Sequence, residues 1–240
     1  MSFVYAHRGA SAYAPENTLE AFSLAVKMGA DGVELDVHLS KDGQLMVIHD
    51  EAVDRTTNGH GLVMDLTCEE LQKLDASNHM EGFSNAKIPT LGEVYDLLKD
   101  TGLWVNVELK TDRNFYPGIE EKCLALAAEK GMSDRIIYSS FNHYSIANVL
   151  KADPTAKTGL LYMSGLYEPW KYARQVGAQY IHPMYANLLL PGLAEGCLAD
   201  GIGINPWTVD DEQIMQLCLK LGTNIITNKP DVAIKLRDGK

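Results

Sequence analysis

Long apolar runs are missing from this 240-residue chain, and none reaches the roughly 20 residues that a membrane-crossing helix needs. Cysteine is scarce. Cys68, Cys123, Cys197 and Cys218 are scattered without a close pair, which argues against a zinc cluster and for free thiols in a reducing compartment. Positive charge is in deficit, 21 Lys and Arg against 32 Asp and Glu for a formal net charge of -11, so a general nucleic-acid or anionic-membrane surface is not expected. An anionic small substrate stays open, because one bound divalent ion reverses the field inside a pocket. The glycine-rich turn of a dinucleotide-binding fold is absent: His7-Arg8-Gly9-Ala10-Ser11, after the first strand-like stretch, holds only one glycine. No internal repeat or low-complexity tract stands out. Met1-Ser2 runs directly into Phe3-Val4-Tyr5-Ala6 with neither a basic start nor a leader-like core, so a soluble cytoplasmic protein is expected.

What the chain does have is size and alternation. At 46% hydrophobic it can bury one large core, and its length is ordinary for a closed α/β barrel. Residues 31–50, DGVELDVHLSKDGQLMVIHD, open with Val33, Leu35 and Val37 on one side and Glu34, Asp36 and His38 on the other, the period of a β-strand. Lys41-Asp42-Gly43 supplies a turn, and residues 45–48 form a second apolar run ending at His49-Asp50. A helix is expected from Asn17 or Thr18 to Gly29. Residues 51–87 are turn-rich, with only 68–74 helical, and read as a small excursion from the main fold. Beyond a helix at 91–98, strands at 103–109, 135–139, 158–162, 178–182, 202–206 and 224–227 alternate with helices at 119–130, 145–150, 169–176, 193–200 and 212–221. With strands at 3–6 and 31–36 this makes eight strand-then-helix units, the arm ending at His49 lying outside the count. Such a pattern predicts an α/β fold closed as a (β/α)8 TIM barrel, with residues 1–240 as one domain.

In that architecture functional groups gather at the carboxyl ends of the strands. Those ends are His7-Arg8, Glu34 and Asp36, Glu108 and Lys110, Ser139-Ser140, His182, Trp207 and Thr227-Asn228, and the arm carrying His49 is able to fold over the same mouth. Two carboxylates on one strand face are costly to bury, and each must be hydrated, paired or bound to a metal. A solvated sheet edge is the bland reading of Glu34 and Asp36, and a pair with Lys110 is that of Glu108. Taken together, the three all-oxygen donors favour a hard ion, Ca2+ or Mg2+. His7 and His49 are the proton-transfer candidates, Arg8 can hold two phosphate oxygens in a fork, and Lys110 adds a second positive charge. Two histidines, an arginine and a divalent-ion site describe hydrolysis of an anionic ester. Trp207 is a candidate apolar wall for the alcohol part of a substrate, although a Trp near a barrel rim is also a routine core residue. Phe141 and Tyr185 are further wall candidates, and Glu16 and Asn17 can brace the His7-Arg8 loop. His38, His60, His79, His143 and His182 are read as structural.

The segments AHRGASAYAPENTLEAF (6–22), DGVELDVHLSKDGQLMVIHD (31–50) and VNVELK (105–110), with SSFN (139–142), PWTVD (206–210) and NKPD (228–231), closely resemble the glycerophosphodiester phosphodiesterase family over essentially the whole chain. The resemblance implies a barrel with a small insertion between the second strand and its helix, here residues 51–87. It implies hydrolysis of small-molecule diesters such as glycerophosphocholine or glycerophosphoethanolamine to glycerol 3-phosphate and an alcohol. It further implies His7 and His49 as the acid/base pair, Arg8 as a phosphate contact, Glu34, Asp36 and Glu108 as metal ligands, and Lys110 as a substrate-side residue. An internal attack by the glycerol hydroxyl, giving a cyclic phosphate, is part of what the family is thought to do. Two places depart from the family pattern. Asn228 stands where Asp commonly follows the last strand's Thr, and Pro206 and Asp210 replace commoner residues in the tryptophan block. Neither is expected to touch the His, Arg or carboxylate set, so both bear on specificity more than on activity.

Two rivals remain. One is a lysophospholipase D or phosphoinositide-type phosphodiesterase acting on lipid, for which an apolar rim beside the mouth is the discriminator. The other is a barrel that binds a phosphodiester without turning it over, which the retained histidines and carboxylates disfavour. No nucleic-acid partner and no stable membrane insertion are expected, and a homodimer is left open.

Overall fold

The computed structural model describes residues 2–78 and 80–239, among which the apolar runs form nine strands: β1 (Val4–His7), β2 (Gly32–Leu39), β3 (Leu45–Val47), β4 (Trp104–Leu109), β5 (Ile136–Ser140), β6 (Lys157–Tyr162), β7 (Tyr180–Pro183), β8 (Gly203–Ile204) and β9 (Ile225–Thr227). All but β3 pair in parallel, in the order β8-β7-β6-β5-β4-β2-β1-β9. The two ends of that order meet: the Asn224 N–H donates to the Ile204 carbonyl at 3.0 Å and the Ile226 N–H to the Pro206 carbonyl at 3.1 Å. The ring is thereby closed into an α/β barrel, and β3 folds back antiparallel on β2 outside it.

The helices are α1 (Leu19–Met28), α2 (Cys68–Lys73), α3 (Leu91–Leu98), α4 (Ile119–Glu129), α5 (His143–Ala152), α6 (Pro169–Val176), α7 (Leu193–Asp200), α8 (Glu212–Leu221) and α9 (Pro230–Asp238). Side chains start several of them. Thr18 accepts the Ala21 N–H, and Thr67 and Thr90 close reciprocal capping boxes with Glu70 and Glu93. The sequence reading left the last strand without a helix. Pro230 begins one there, since its fixed φ and missing N–H suit a first helical turn, and the Arg237 guanidinium of α9 pairs with Asp31 at the start of β2. No helix among the described residues is long and apolar enough to cross a membrane, and the four cysteines are free.

Alternation in β2 does not mark a solvated edge. Every residue of the strand is buried, because one face packs on helices and the other looks into the barrel. Val33, Leu35 and Val37 join Phe22 and Ala25 of α1 and Leu91, Val94 and Tyr95 of α3 in one core cluster. Glu34 and Asp36 are left to the interior. Residues 51–87 carry α2 and, with β3, a separate small cluster of Met46, Ile48, Val53, Val63, Leu71, Ala76 and Ile88. Burying those side chains fastens the excursion to the barrel at ~25 cal/mol per Å² of apolar surface.

Deeper in the barrel, His182 on β7 is fully buried, with Asn205 Nδ2 donating to its Nε2 at 2.9 Å. The ring fills the space beside Gly159, where an added Cβ would lie 2.3 Å from Nε2. Burial lowers its pKa to about 3, so the native ring is neutral. Below about pH 6.5 the unfolded chain takes up a proton that the native barrel refuses, so stability is lost as pH falls from 6.5 toward 3 and is fully retained above that window. Denaturant midpoints are expected to show the wild type losing about 2 kcal/mol more than His182→Gln between pH 7 and pH 5. Parallel slopes in the two proteins would mean that the native ring protonates freely.

Candidate active site

Register alone brings the charged groups together. In neighbouring parallel strands, paired residues point the same way, and His7, Glu34 and Asn106 lie abreast on β1, β2 and β4. Asp36, Glu108 and Ser139 form the next layer toward the carboxyl ends. Glu34, Asp36 and Glu108 each offer an oxygen within 4.8 Å of the others, and all three are buried. The set can hold a cation. Its chemistry fits one: the donors are all hard oxygens, and Asp36 Oδ1 is a buried acceptor with no hydrogen-bond partner. Burial, followed by the charges of Asp36 and Glu108, pushes the Glu34 carboxyl well up. Burial likewise raises Glu108 against the opposing Lys110 ammonium. For Asp36 burial pulls upward too, yet Arg8 and Lys110 beside it hold the carboxyl far below the usual range.

Two cations face these acids. The Lys110 ammonium donates to Glu108 Oε1 at 2.8 Å and lies 3.7 Å from Asp36 Oδ1. Arg8 sits at a left-handed φ of 55° just past β1, which turns its backbone N–H onto Glu34 Oε2 at 3.0 Å and its Nε toward Asp36 Oδ2 at 3.4 Å. The turn is set by Gly9, at φ 79°, where a Cβ would lie 2.6 Å from the Ala21 carbonyl carbon. Glu16 takes the far side of the Arg8 guanidinium at 2.9 Å, and Asn17 Nδ2 donates to Asp36 Oδ2 at 2.8 Å. Both residues therefore brace the loop as their position suggested.

The imidazoles approach from opposite sides. His7 Nδ1 is 2.7 Å from Asn228 Oδ1, and its Nε2 is 3.9 Å from Glu34 Oε2. Burial, then the Arg8 charge, lowers the His7 pKa to about 4 despite the Asn228 bond. His49, just beyond β3, reaches over the mouth and places Nε2 3.3 Å from Lys110 Nζ. Its Nδ1 meets Asp50 Oδ1 at 2.5 Å, and its carbonyl accepts from His38 Nε2 at 3.0 Å. His38 is thus structural, but in the service of His49. Arg55 then forks onto Glu16 through two bonds of 2.8 Å and onto Asp50 at 2.6 and 3.1 Å. Burial opposes it, but Arg55 and His49 bring the Asp50 pKa down to about 2.

Trp207 and Phe141 meet edge to face, 5.4 Å between centroids, and with Asn106, Leu161 and Ile226 they line a narrow pocket of about 40 Å³ above His7, Arg8, Glu34, His49 and Glu108. Beside it opens a cleft of about 820 Å³ bordered by His49, Asp50, Lys110, Arg113, Phe141, Leu62 and Met163. Tyr185 lines neither space. His60 is exposed beside Asp54, His143 bonds Tyr172 and the Leu161 carbonyl, and His79 lies outside the described residues. One expectation is overturned: Asn228 does touch the histidine set, since its side chain is the direct partner of His7, and Asp210 in turn holds Asn228. The sequence reading also missed Arg55 and the role of Asp50. Adjacency to His49 was the one available signal for Asp50, and Arg55 was hidden in the turn-rich excursion.

Comparison with known proteins places the chain among relatives of the same fold. The model of the glycerophosphoryl diester phosphodiesterase family matches residues 7–232. The chain is similar to the glycerophosphodiester phosphodiesterase of Caldanaerobacter subterraneus subsp. tengcongensis, at 50% identity with 98% of this chain and 97% of that one covered. It is also similar to that of Bacillus altitudinis, at 40% identity over 99% of each. Among solved structures it resembles the glycerophosphodiester phosphodiesterase of Agrobacterium tumefaciens, with a TM-score of 0.85, 31% identity and coverage of 97% and 99%. It further resembles an Oleispira antarctica phosphodiesterase solved with the product sn-glycerol-3-phosphate, with a TM-score of 0.87, 28% identity and coverage of 99% and 97%. Fold and sequence agree along nearly the full length, and the chain belongs to the glycerophosphoryl diester phosphodiesterase family.

Proposed function

We propose that the barrel with its 51–87 excursion is one catalytic domain that hydrolyses water-soluble glycerophosphodiesters, glycerophosphocholine and glycerophosphoethanolamine among them, to glycerol 3-phosphate and an alcohol. The observation that carries the reading is the juxtaposition of three buried carboxylates, two cationic side chains and two imidazoles at one opening, in a chain of this family. Glu34, Asp36 and Glu108 are the residues that would hold a divalent cation, Ca2+ or Mg2+. When bound there, such a cation supplies charge neutralisation and Lewis-acid polarisation of a phosphoryl oxygen.

The chain's own groups do the rest. Arg8, whose Nε is buried without a hydrogen-bond partner, and Lys110 bind the phosphate oxygens and stabilise the charge that builds on them. His7, neutral because burial has lowered its pKa to about 4, accepts the proton of the attacking water, whose oxygen bonds to phosphorus as the bond from phosphorus to the alcohol oxygen breaks. His49 delivers a proton to the departing alcohol oxygen, with the Asp50 carboxylate 2.5 Å from Nδ1 fixing the ring from behind. Trp207 and Phe141 exclude water from one side and receive the apolar part of the substrate. A second reading, hydrolysis of lysophospholipids, draws on the exposed Leu62 and Met163 along the cleft.

Release of glycerol 3-phosphate from glycerophosphocholine is the test, run beside lysophosphatidylcholine under the same conditions. Chelation is expected to abolish turnover, and added Ca2+ or Mg2+ to restore it. His7→Ala and His49→Ala are each expected to lower kcat by about 10²- to 10⁴-fold. Near-normal rates in either variant would remove the proton-transfer assignment. Faster release from the lysophospholipid would reverse the choice of substrate. Arg55→Ala, which frees both Glu16 and Asp50, is expected to lower kcat about tenfold, with Arg55→Lys intermediate because it keeps the charge and loses the fork.

A further inference from the structure

The partner of His7 is an amide, and an amide can face either way. Its orientation is decided one residue further out. Asp210, in the segment after β8, accepts the backbone N–H of Asn228 at Oδ1, 2.8 Å away, and the Thr227 hydroxyl at the same oxygen, 2.9 Å away. Its other oxygen, Oδ2, lies 2.5 Å from the Asn228 side-chain nitrogen. A carboxylate accepts and does not donate, so the NH2 end of the Asn228 amide must be the end turned toward it. Reversing the amide would set two acceptor oxygens against each other at Asp210 and leave both unpaired. The carbonyl end therefore faces His7 Nδ1 at 2.7 Å, with the Ser11 hydroxyl also 2.7 Å from that oxygen. A carbonyl oxygen has no proton to give, so the proton in the bond belongs to the ring.

We propose that Asp210 and Asn228 are positioning residues that fix His7 in its Nδ1–H tautomer and leave the Nε2 lone pair pointing into the site. The groups alternate along this line: carboxylate acceptor, amide NH2 donor, amide carbonyl acceptor, ring N–H donor. The free nitrogen that results is 3.9 Å from Glu34 Oε2, too far to be occupied by a hydrogen bond within the protein. The opposite tautomer would put a proton on Nε2 and a lone pair against the Asn228 carbonyl, which removes the base from the site and breaks the bond behind it. The proposal rests on the reading of His7 as a proton-transfer group, and it adds which nitrogen acts and what holds it so.

The test reads the ring directly. Histidine-selective 15N labelling of the full-length protein, with His7 assigned by loss of its signals in His7→Gln, reports the tautomer at a mildly alkaline pH, before and after addition of Mg2+. His7 is expected in the Nδ1–H form in both states. Asp210→Asn removes the group that orients the amide. It is expected to mix the tautomers and to lower kcat about tenfold with KM changed by less than about twofold. The exchanged pair D210N/N228D reverses the donor in the bond between the two side chains but still presents an acceptor oxygen to His7 Nδ1, and is expected to recover the tautomer and most of kcat. The proposal is overturned by an Nε2–H ring in the wild type, by wild-type tautomer and rate in Asp210→Asn, or by an exchanged pair no better than Asp210→Asn alone. The wild-type spectrum needs no variant at position 210 or 228, so poor folding of one cannot leave the question open. Full activity in His7→Gln would sink the proton-transfer reading instead, while the tautomer would still be read from the wild type.

Discussion

The constraint on which this structure turns is the burial of negative charge. Glu34, Asp36 and Glu108 are carried into the mouth by strand register, and a buried ionised carboxylate without compensation costs several kcal/mol. Two cations, the half-buried Arg8 and the buried Lys110, answer three acids. The remaining imbalance shows in the side chains: Asp36, flanked by both cations, stays ionised, while Glu34 and Glu108 are driven toward the neutral form. Much of the surrounding chain keeps those cations in place. Glu16 holds Arg8 from behind, Asn17 supports Asp36, and Arg55 anchors Glu16.

The two imidazoles are held by chemically different partners. His7 leans on a neutral amide inside the barrel, and burial leaves the ring neutral there. His49 leans on a carboxylate at the rim, and that carboxylate is itself fixed by a guanidinium. The contrast arises from the partners of the two rings, an amide for one and a carboxylate for the other, rather than from the histidines themselves. Lys110 spans the gap between the groups, since its ammonium is within hydrogen-bond distance of both Glu108 and His49.

What the sequence made legible follows from distance along the chain. His7-Arg8, Glu34 with Asp36, and Glu108 with Lys110 are each encoded within a few residues at the end of one strand, so alternation plus strand-end position was enough to find them. The barrel itself was readable for the same reason, as repeated local units. Direction was not: alternation says that two faces differ, and only closure of the ring reveals that the polar face of β2 looks inward rather than to water. Contacts between distant segments were equally silent. Asn228 lies 221 positions from His7, and noticing that it was an unusual residue did not say what it touched. Arg55 lies 39 positions from Glu16 in a segment with no regular period, where pattern reading has nothing to use. Helix α9 was left out because the reading stopped at the last strand, although Pro230 just beyond it is favoured at a first helical turn.

The site is therefore assembled from parts of unequal firmness. Glu34, Asp36, Glu108, Lys110 and His7 stand on or beside barrel strands whose neighbours bury both faces. His49, Asp50 and Arg55 come from the arm and the excursion, fastened by a small apolar cluster, by the bond from His38 to the His49 carbonyl and by the Arg55 fork onto Glu16. The excursion is the part that lies outside the ring of barrel strands. Loosening it would carry away the His49 ring and the Arg55 fork while the carboxylates and Arg8 stay where the strands put them. In this barrel the three acids and Arg8 are thus positioned by the sheet, whereas the His49 ring and the Arg55 fork are added to it by an arm and a loop.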